Sequence, residues 1–288
     1  MHQYPVVSLS LKDMRGFSCD EALSALKESV QDICIKKNYL LTSEHVDPCD
    51  QETLARLKAK KGDGEELASS LAILCRALLM HWKKPVIVLI DEYDVPLAQA
   101  WQHGYAQSMT LFISKFFSKV LKTNDTIQFA VLTGCLRVSK ESIFTGLNNF
   151  CCYGIEQNKF STAFGFTEEE VEQLLCRSGH EDKQALIKEW YDGYRFGETQ
   201  GIYCPWDILQ YLHELESAPD LQPQCYWMHS SGNEIIRTCF QALDENIRSK
   251  FEILLNRGVL ESKLVQTMTY SDIGFSADLP RCTDESLF

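Results

Sequence analysis

Apolar residues in the first half of the chain follow two patterns, short runs and longer stretches with helical spacing. In Tyr4–Leu11 apolar residues alternate with polar ones, Val86–Ile90 is an unbroken apolar run, and Ile127–Leu132 is apolar except for Gln128. Both patterns predict short β-strands. The helical spacing between them predicts amphipathic helices. These helices begin after Ser18, cover Leu67–Leu79, and cover Tyr105–Leu121.

The order of these elements predicts the fold class. Strand, helix, strand, helix and strand in succession predict an α/β fold with a parallel sheet and flanking helices. The unbroken apolar content of Val86–Ile90 predicts that helices cover this strand on both faces. In such sheets ligands bind beyond the carboxyl ends of the strands. Asp91, Glu92 and Thr133 all follow such strand ends.

The second half of the chain has a different pattern, with short helices separated by aromatic turns. Thr167 and Glu170 match a capping box, which predicts a helix start. Residues 1–155 are therefore predicted to be an α/β core and residues 156–288 a helical lid or adaptor region. Residues 43–64 are polar, and KAKKGDGEE, at residues 58–66, is predicted to be an exposed loop. The predicted helices of the second region cover about residues 168–178, 182–192, 206–216 and 232–256.

Composition restricts the class of protein. The formal net charge is -12 and the pI is about 5.1, so no global basic field supports nucleic-acid binding. A local basic groove is the alternative that the charge total does not exclude. The 12 cysteines form no CxxC pair, and several, such as Cys34, Cys75 and Cys239, lie in apolar patterns. The chain has no signal-peptide pattern and no apolar run near the ~18 residues that span a bilayer. We expect a reduced, cytoplasmic protein without a membrane segment.

The segment VIVLIDEYD has the layout of a Walker B motif, a buried strand that ends in two acids. In phosphoryl transfer Asp91 would hold Mg²⁺, and Glu92 would orient or deprotonate the attacking water. The alternative is a strand that ends in solvated acids. Thr133, at the tip of the next strand, favours the first interpretation because its hydroxyl is placed to sense a γ-phosphate. A simple Thr-Gly turn is the alternative there.

The phosphate-binding residues are less clear from the sequence. Arg137 and Lys140, in CLRVSKESIF, can reach phosphate oxygens or can lie on a solvated helix face. A phosphate loop requires GxxxxGKS/T, whose backbone N–H groups and lysine hold the phosphates. None of the 15 glycines is followed by lysine, and KKGDGEE places acids where a phosphate would lie. The chain therefore contains no Walker A motif.

Several stretches resemble the bacterial AAA-ATPase-like family, whose members are P-loop proteins commonly followed by a PD-(D/E)XK nuclease-like domain. The most specific stretches are PVIVLIDEYDVPL, FAVLTGCLRVSKESIFTGLNNF and EWYDGYRFG. The resemblance implies an ASCE-type core that binds ATP and Mg²⁺. In it Asp91 matches the Walker B acid and metal ligand, Glu92 the catalytic acid, and Thr133 the sensor.

The resemblance also sets expectations for partners and for chain length. In that family a phosphate loop precedes the YPVV-type strand, so we expect this chain to be truncated at both ends or to be a short form. The first hypothesis is a Mg²⁺-dependent ATPase module that regulates an attached or partner nuclease-like domain. The second is a non-hydrolysing scaffold that binds proteins. The third is nucleic-acid binding through Arg137, Lys140 and the aromatic turns.

Overall fold

A three-stranded parallel sheet forms the centre of the first half of the chain. The computed structural model describes residues 3–135, 142–144, 150–229, 250, 252–256 and 258–259. The strands are β1 (Val6–Ser10), β2 (Val86–Asp91) and β3 (Ile127–Leu132), in the order β1-β2-β3. In the register, Leu9 lies opposite Ile90, and Ile90 lies opposite Leu132. The predicted α/β class is confirmed.

Five helices connect these strands. They are α1 (Cys19–Lys36), α2 (Pro48–Lys58), α3 (Gly64–Trp82), α4 (Val95–Gln102) and α5 (Ala106–Leu121). The start of α1 agrees with the sequence, because the Ser18 hydroxyl accepts from Glu21 N at 3.3 Å. The helices α1 and α3 pack on the sheet, and α5 packs against α3. Parallel crossovers are right-handed, and both connections run in the same direction across the sheet, so their helices lie on one face.

The two faces of the sheet therefore differ in burial. Val7, Leu9, Val88 and Ile90 form the closed face and are at most 2% exposed. The alternate residues of the three strands point to the other face, the open face, whose members are Val6, Ser8, Ile87, Leu89, Phe129 and Val131. On this open face Leu89 is 37% exposed and Phe129 is 50% exposed. The expectation that helices cover both faces of β2 is not met within the described residues.

The helix α2 lies in the polar segment 43–64, where no helix was predicted, and the centre of the predicted loop KAKKGDGEE does connect α2 to α3. Asp47 caps its start by accepting from Cys49 N at 2.8 Å, and Pro48 occupies the first turn. Leu54 and Leu57 are buried on its inner face. The Asp-Pro pair was the local signal for this helix, but the two buried leucines are too few to give a clear helical pattern.

Residues 150–229 belong to a second compact unit. Its helices are α6 (Glu168–Ser178), α7 (Gln184–Tyr191) and α8 (Pro205–Leu215), which confirms three predicted helices and the capping box of Thr167 and Glu170. An antiparallel hairpin of β4 (Tyr194–Phe196) and β5 (Thr199–Ile202) was not predicted. The predicted helix at 232–256 lies mostly outside the described residues, and the predicted boundary at residue 155 stays a prediction.

The described residues also bear on the expectations about membranes and thiols. None of the described helices is both long and apolar enough to cross a membrane. The described cysteines are free thiols, and Cys34 on α1 and Cys75 on α3 are buried as expected. Cys239 lies outside the described residues.

Candidate functional site

Polar side chains from neighbouring strands meet at the carboxyl edge of the sheet. Ser10 at the end of β1 is the register partner of Asp91 at the end of β2. Thr133 follows β3 directly, and its backbone N–H donates to the Ile90 carbonyl at 2.9 Å. The Thr133 hydroxyl donates to Asp91 Oδ1. The fold thus brings together Asp91 and Thr133, which are 42 positions apart in the chain.

Glu92 occupies the turn that leads from β2 toward α4. Its φ is 53°, in the left-handed region that residues other than glycine rarely adopt. Its backbone N–H donates to Asp91 Oδ1 at 3.1 Å. The Asp91 carboxylate is therefore oriented by two donors, the Thr133 hydroxyl and the backbone that follows it. A left-handed glutamate costs about 1–2 kcal/mol relative to an ordinary conformation, which marks this turn as a strained position.

The third acid of the segment, Asp94, has a different position. It is 5% exposed, and its Oδ2 accepts from Cys135 N at 3.0 Å. The backbone N–H of Tyr93 donates to the Thr133 carbonyl at 3.0 Å. A Cβ on Gly134 would lie 2.6 Å from Asp94 Oδ1 and 2.8 Å from the Tyr93 ring. Tyr93 and Asp94 therefore hold the turn that carries Thr133, a role the sequence did not suggest.

Comparison with known proteins identifies the first half of the chain. The profile of a family described as Predicted AAA-ATPase matches residues 1–144, which is half of the chain. The chain belongs to this predicted AAA-ATPase family. An uncharacterised protein from the vnfD 5′ region of Azotobacter chroococcum mcd 1 is 28% identical to it over 146 residues. That match covers 50% of this chain and 27% of the relative, so the chain spans about a quarter of that protein. No solved structure matches significantly.

The carboxyl edge of this AAA-ATPase-like sheet is electronegative. Burial raises the pKa of the Cys135 thiol, and the carboxylates of Asp94, Glu92 and Asp91 raise that pKa further. Such a field favours a bound cation, and carboxylate and hydroxyl oxygens are ligands that Mg²⁺ accepts. Within the described residues, however, no group of three or more His, Cys, Asp or Glu side chains converges on one point. Asp91 and Thr133 therefore fit Mg²⁺ only together with oxygen ligands from phosphate or water.

Two described basic residues that the sequence did not single out, Lys12 and Arg15, follow β1 at this edge. Arg137 and Lys140 lie outside the described residues. Lys12 follows β1, next to Leu11, whose N–H donates to the Asp91 carbonyl at 2.9 Å. Arg15 donates from Nε to the Lys12 carbonyl at 2.9 Å. The sequence analysis missed Lys12 and Arg15 because only the pairing of Ser10 with Asp91 brings the end of β1 to this edge. That pairing register cannot be predicted from one strand alone.

Proposed function

We propose that Asp91 and Glu92 are the Walker B acids of an ATP-hydrolysing site and that Thr133 is its sensor residue. The observation that carries this proposal is the hydrogen bond from Thr133 to Asp91 across the ends of two neighbouring strands. Ligands of parallel sheets bind beyond these ends. Membership of the predicted AAA-ATPase family supports the use of a nucleotide and Mg²⁺ in general.

Each side chain has a role in this proposal. Asp91 would hold the magnesium ion, Thr133 would sense the γ-phosphate, and Glu92 would accept a proton from the attacking water. When bound, Mg²⁺ neutralises charge on the phosphate oxygens. Arg137 and Lys140 are retained in the proposal as phosphate contacts. The strained backbone of Glu92 supports its role, because such conformations are concentrated at functional turns.

The element that binds the phosphates completes the proposal. The open face consists of rows of side chains, and Ser10, Asp91 and Thr133 form its uppermost, polar row. A helix packed on this face, with its N-terminus beside that row, would direct backbone N–H groups at phosphate oxygens. We propose that an attached segment or a partner protein supplies this helix. Because the 288 residues contain no GxxxxGKS/T, the helix is not assigned to them.

Turnover by the complete gene product with its partner tests the role of Glu92. The change Glu92→Gln keeps the size of the side chain but removes the base, so we expect ATP hydrolysis to fall at least ~100-fold. Nucleotide affinity should stay within about twofold. The exposed Glu44→Gln is the matched control and should leave both quantities unchanged. Normal turnover in the Glu92 variant would refute the assignment.

Calorimetric titration of Mg²⁺–ATP into the 288-residue chain tests the missing phosphate site. We expect weak or undetectable binding, because the loop and helix whose backbone N–H groups bind the β- and γ-phosphates are supplied from elsewhere in this proposal. Binding with a submicromolar Kd would show that the chain contains its own phosphate site. That result would contradict the proposal for a supplied helix, yet it would leave the Walker B assignment standing.

The second candidate function is a non-hydrolysing scaffold derived from the ATPase fold. The observations that favour it are the absent GxxxxGKS/T motif and the exposed apolar side chains of the open face. The partner in either case is proposed to be a protein or a fused nuclease-like domain, in the cytoplasm. If the protein is a scaffold, we expect Leu89→Asp to abolish partner binding and Glu92→Gln to change neither partner binding nor ATP turnover. An ATPase predicts that both changes abolish turnover.

A further inference from the structure

The amino end of the sheet carries a second feature, far from the proposed ATP site. Helices α1 and α3 both end there, and Lys37 Nζ donates to the Val6 carbonyl at the start of β1. We call this feature the basic aromatic surface. Its members are Lys36, Tyr39, Trp82, Lys83 and Lys84. The length of β2 separates it from Asp91 by about 17 Å.

The aromatic rings of this surface are held by defined contacts. Trp82 Nε1 donates to the Tyr39 hydroxyl at 3.2 Å, and the centroids of their rings are 6.1 Å apart. His81 meets the Trp82 ring edge-on, with 4.8 Å between centroids and an angle of 84°. His81 Nδ1 is itself 2.8 Å from the Ser43 hydroxyl. Trp82 thus has a satisfied N–H and a fixed ring, yet it is 53% exposed.

Two lysines, Lys83 and Lys84, follow Trp82 directly in the chain, and Lys36 is the last residue of α1. Lys36, Lys83 and Lys84 are exposed, and none of them forms an ion pair with another described residue. Cations near the ends of helices are common because they interact favourably with the helix dipole. Lys83 caps α3 with a φ of 53°, where glycine is the usual residue.

We propose that the basic aromatic surface binds single-stranded nucleic acid. A base stacks on the exposed face of Trp82, and Lys36, Lys83 and Lys84 contact the flanking phosphates. An acidic protein segment would also suit the lysines, but a carboxylate does not stack on the exposed face of Trp82, whereas a base does. The indole N–H of Trp82 is already used by Tyr39, which leaves the ring face as the contact. Because the chain has a net charge of -12, binding is confined to a short stretch and weakens steeply with salt.

Fluorescence anisotropy of a labelled oligothymidylate with the full chain tests this proposal. Three lysine–phosphate contacts on a single strand predict a slope of about -2 for log affinity against log salt. Raising the salt from about 50 to about 200 mM should then weaken binding about 20-fold. Trp82→Leu should weaken it at least ~5-fold at constant salt through the loss of stacking. Added ATP should not change these values, so the outcome is independent of the proposed ATPase.

Lys83→Gly is the sharpest variant because glycine suits the left-handed cap. We expect unchanged or higher thermal stability, with a salt slope reduced by about 0.7. Lys115→Gln is the matched control, since Lys115 is exposed but paired with Glu65 on another helix, and it should leave the slope unchanged. Unchanged affinity in Trp82→Leu would overturn the proposal. Equal competition by polyglutamate would overturn it too and would assign the surface to an acidic protein partner.

Discussion

On the central strand β2 the closed and open faces of the sheet are both built from aliphatic residues, yet these residues have different surroundings. Ile90 and Leu89 are neighbours on β2 and both are aliphatic. Ile90 is 1% exposed beneath the helix layer, whereas Leu89 on the other face is 37% exposed. Large apolar patches on a protein surface usually mark sites of interaction. The difference shows that the strand sequence specifies two covered faces, while the described helices cover one.

The candidate site lies at the carboxyl end of the open face of the sheet. Asp91 follows Leu89 by two positions, and Thr133 follows Val131 by two, so the polar groups continue the rows of the open face. Residues two apart in a strand point to the same side. A helix that covers this face therefore meets the proposed catalytic groups at one end. Binding of the covering element and completion of the ATP site are predicted to be one event.

The largest expected effect separates the two faces directly. Ile90→Ala removes a fully buried side chain and should lower the free energy of unfolding by about 2–5 kcal/mol. Leu89→Ala, one residue earlier, should cost less than about 1 kcal/mol because water already reaches that side chain. Urea denaturation of both variants measures the difference. Equal costs would mean that the open face is covered in solution.

A smaller effect is expected at the turn that carries Thr133. Gly134→Ala places a Cβ 2.6 Å from Asp94 Oδ1, so we expect a loss of about 1–3 kcal/mol in the free energy of unfolding. Gly64→Ala is the matched control, because a Cβ there meets nothing within 4 Å at the start of α3. That variant should be as stable as the parent or slightly more stable. If both variants unfold alike, the contact of Asp94 with this turn is not formed.

Phe129→Ser tests whether the open face is available to partners. The ring is 50% exposed, so we expect a change in unfolding free energy within about 1 kcal/mol. Fluorescence of the dye ANS, which reports exposed apolar surface, should fall relative to the parent chain. Phe17→Ser, at an 80% exposed ring outside the sheet, serves as the comparison for a general loss of aromatic surface. An unchanged ANS signal in the Phe129 variant would contradict an exposed apolar face.

The mildest test leaves the sequence unchanged and labels the thiols behind the closed face. Burial raises the pKa of Cys34 to about 11 and that of Cys75 to about 12. Because the thiolate is the reactive form, alkylation at pH 8 should spare both thiols in the folded protein. The exposed Cys49 on α2 should react readily. Mass spectrometry that finds Cys75 modified as quickly as Cys49 would show that the helix layer opens.

Much of the fold could be predicted from local patterns. The three strands of the parallel sheet, the capped starts of α1 and α6, and the position of Asp91 at a strand end follow from periodicity and capping residues, which act over a few positions. The helix α2 was missed because its stability depends on distant contacts. One of these is the pair of Asp50 with Arg76 on α3, where Arg76 Nε donates to Asp50 Oδ2 at 2.7 Å.

The candidate site was predicted only in part. Asp91, Glu92 and Thr133 were identified as strand-end residues, but the bond between Asp91 and Thr133 requires the pairing of β2 with β3. The buried role of Asp94 depends on Gly134, which approaches it from another strand end. Lys12 was overlooked because nothing near it in the chain is unusual. Such contacts join residues far apart in sequence, where local pattern carries no information.

The sequence by itself determined the α/β class, the order of the strands along the chain and the residue types placed at their carboxyl ends. Alternation and capping decide these features through interactions within a few residues of each other. Only the tertiary structure decided that the helices lie on one face of the sheet and that Asp91 and Thr133 share a hydrogen bond. The physical reason is that strand order and crossover handedness place distant segments together. A run of apolar residues predicts that a strand can be buried. The elements that pack beside the strand determine which of its two faces is buried.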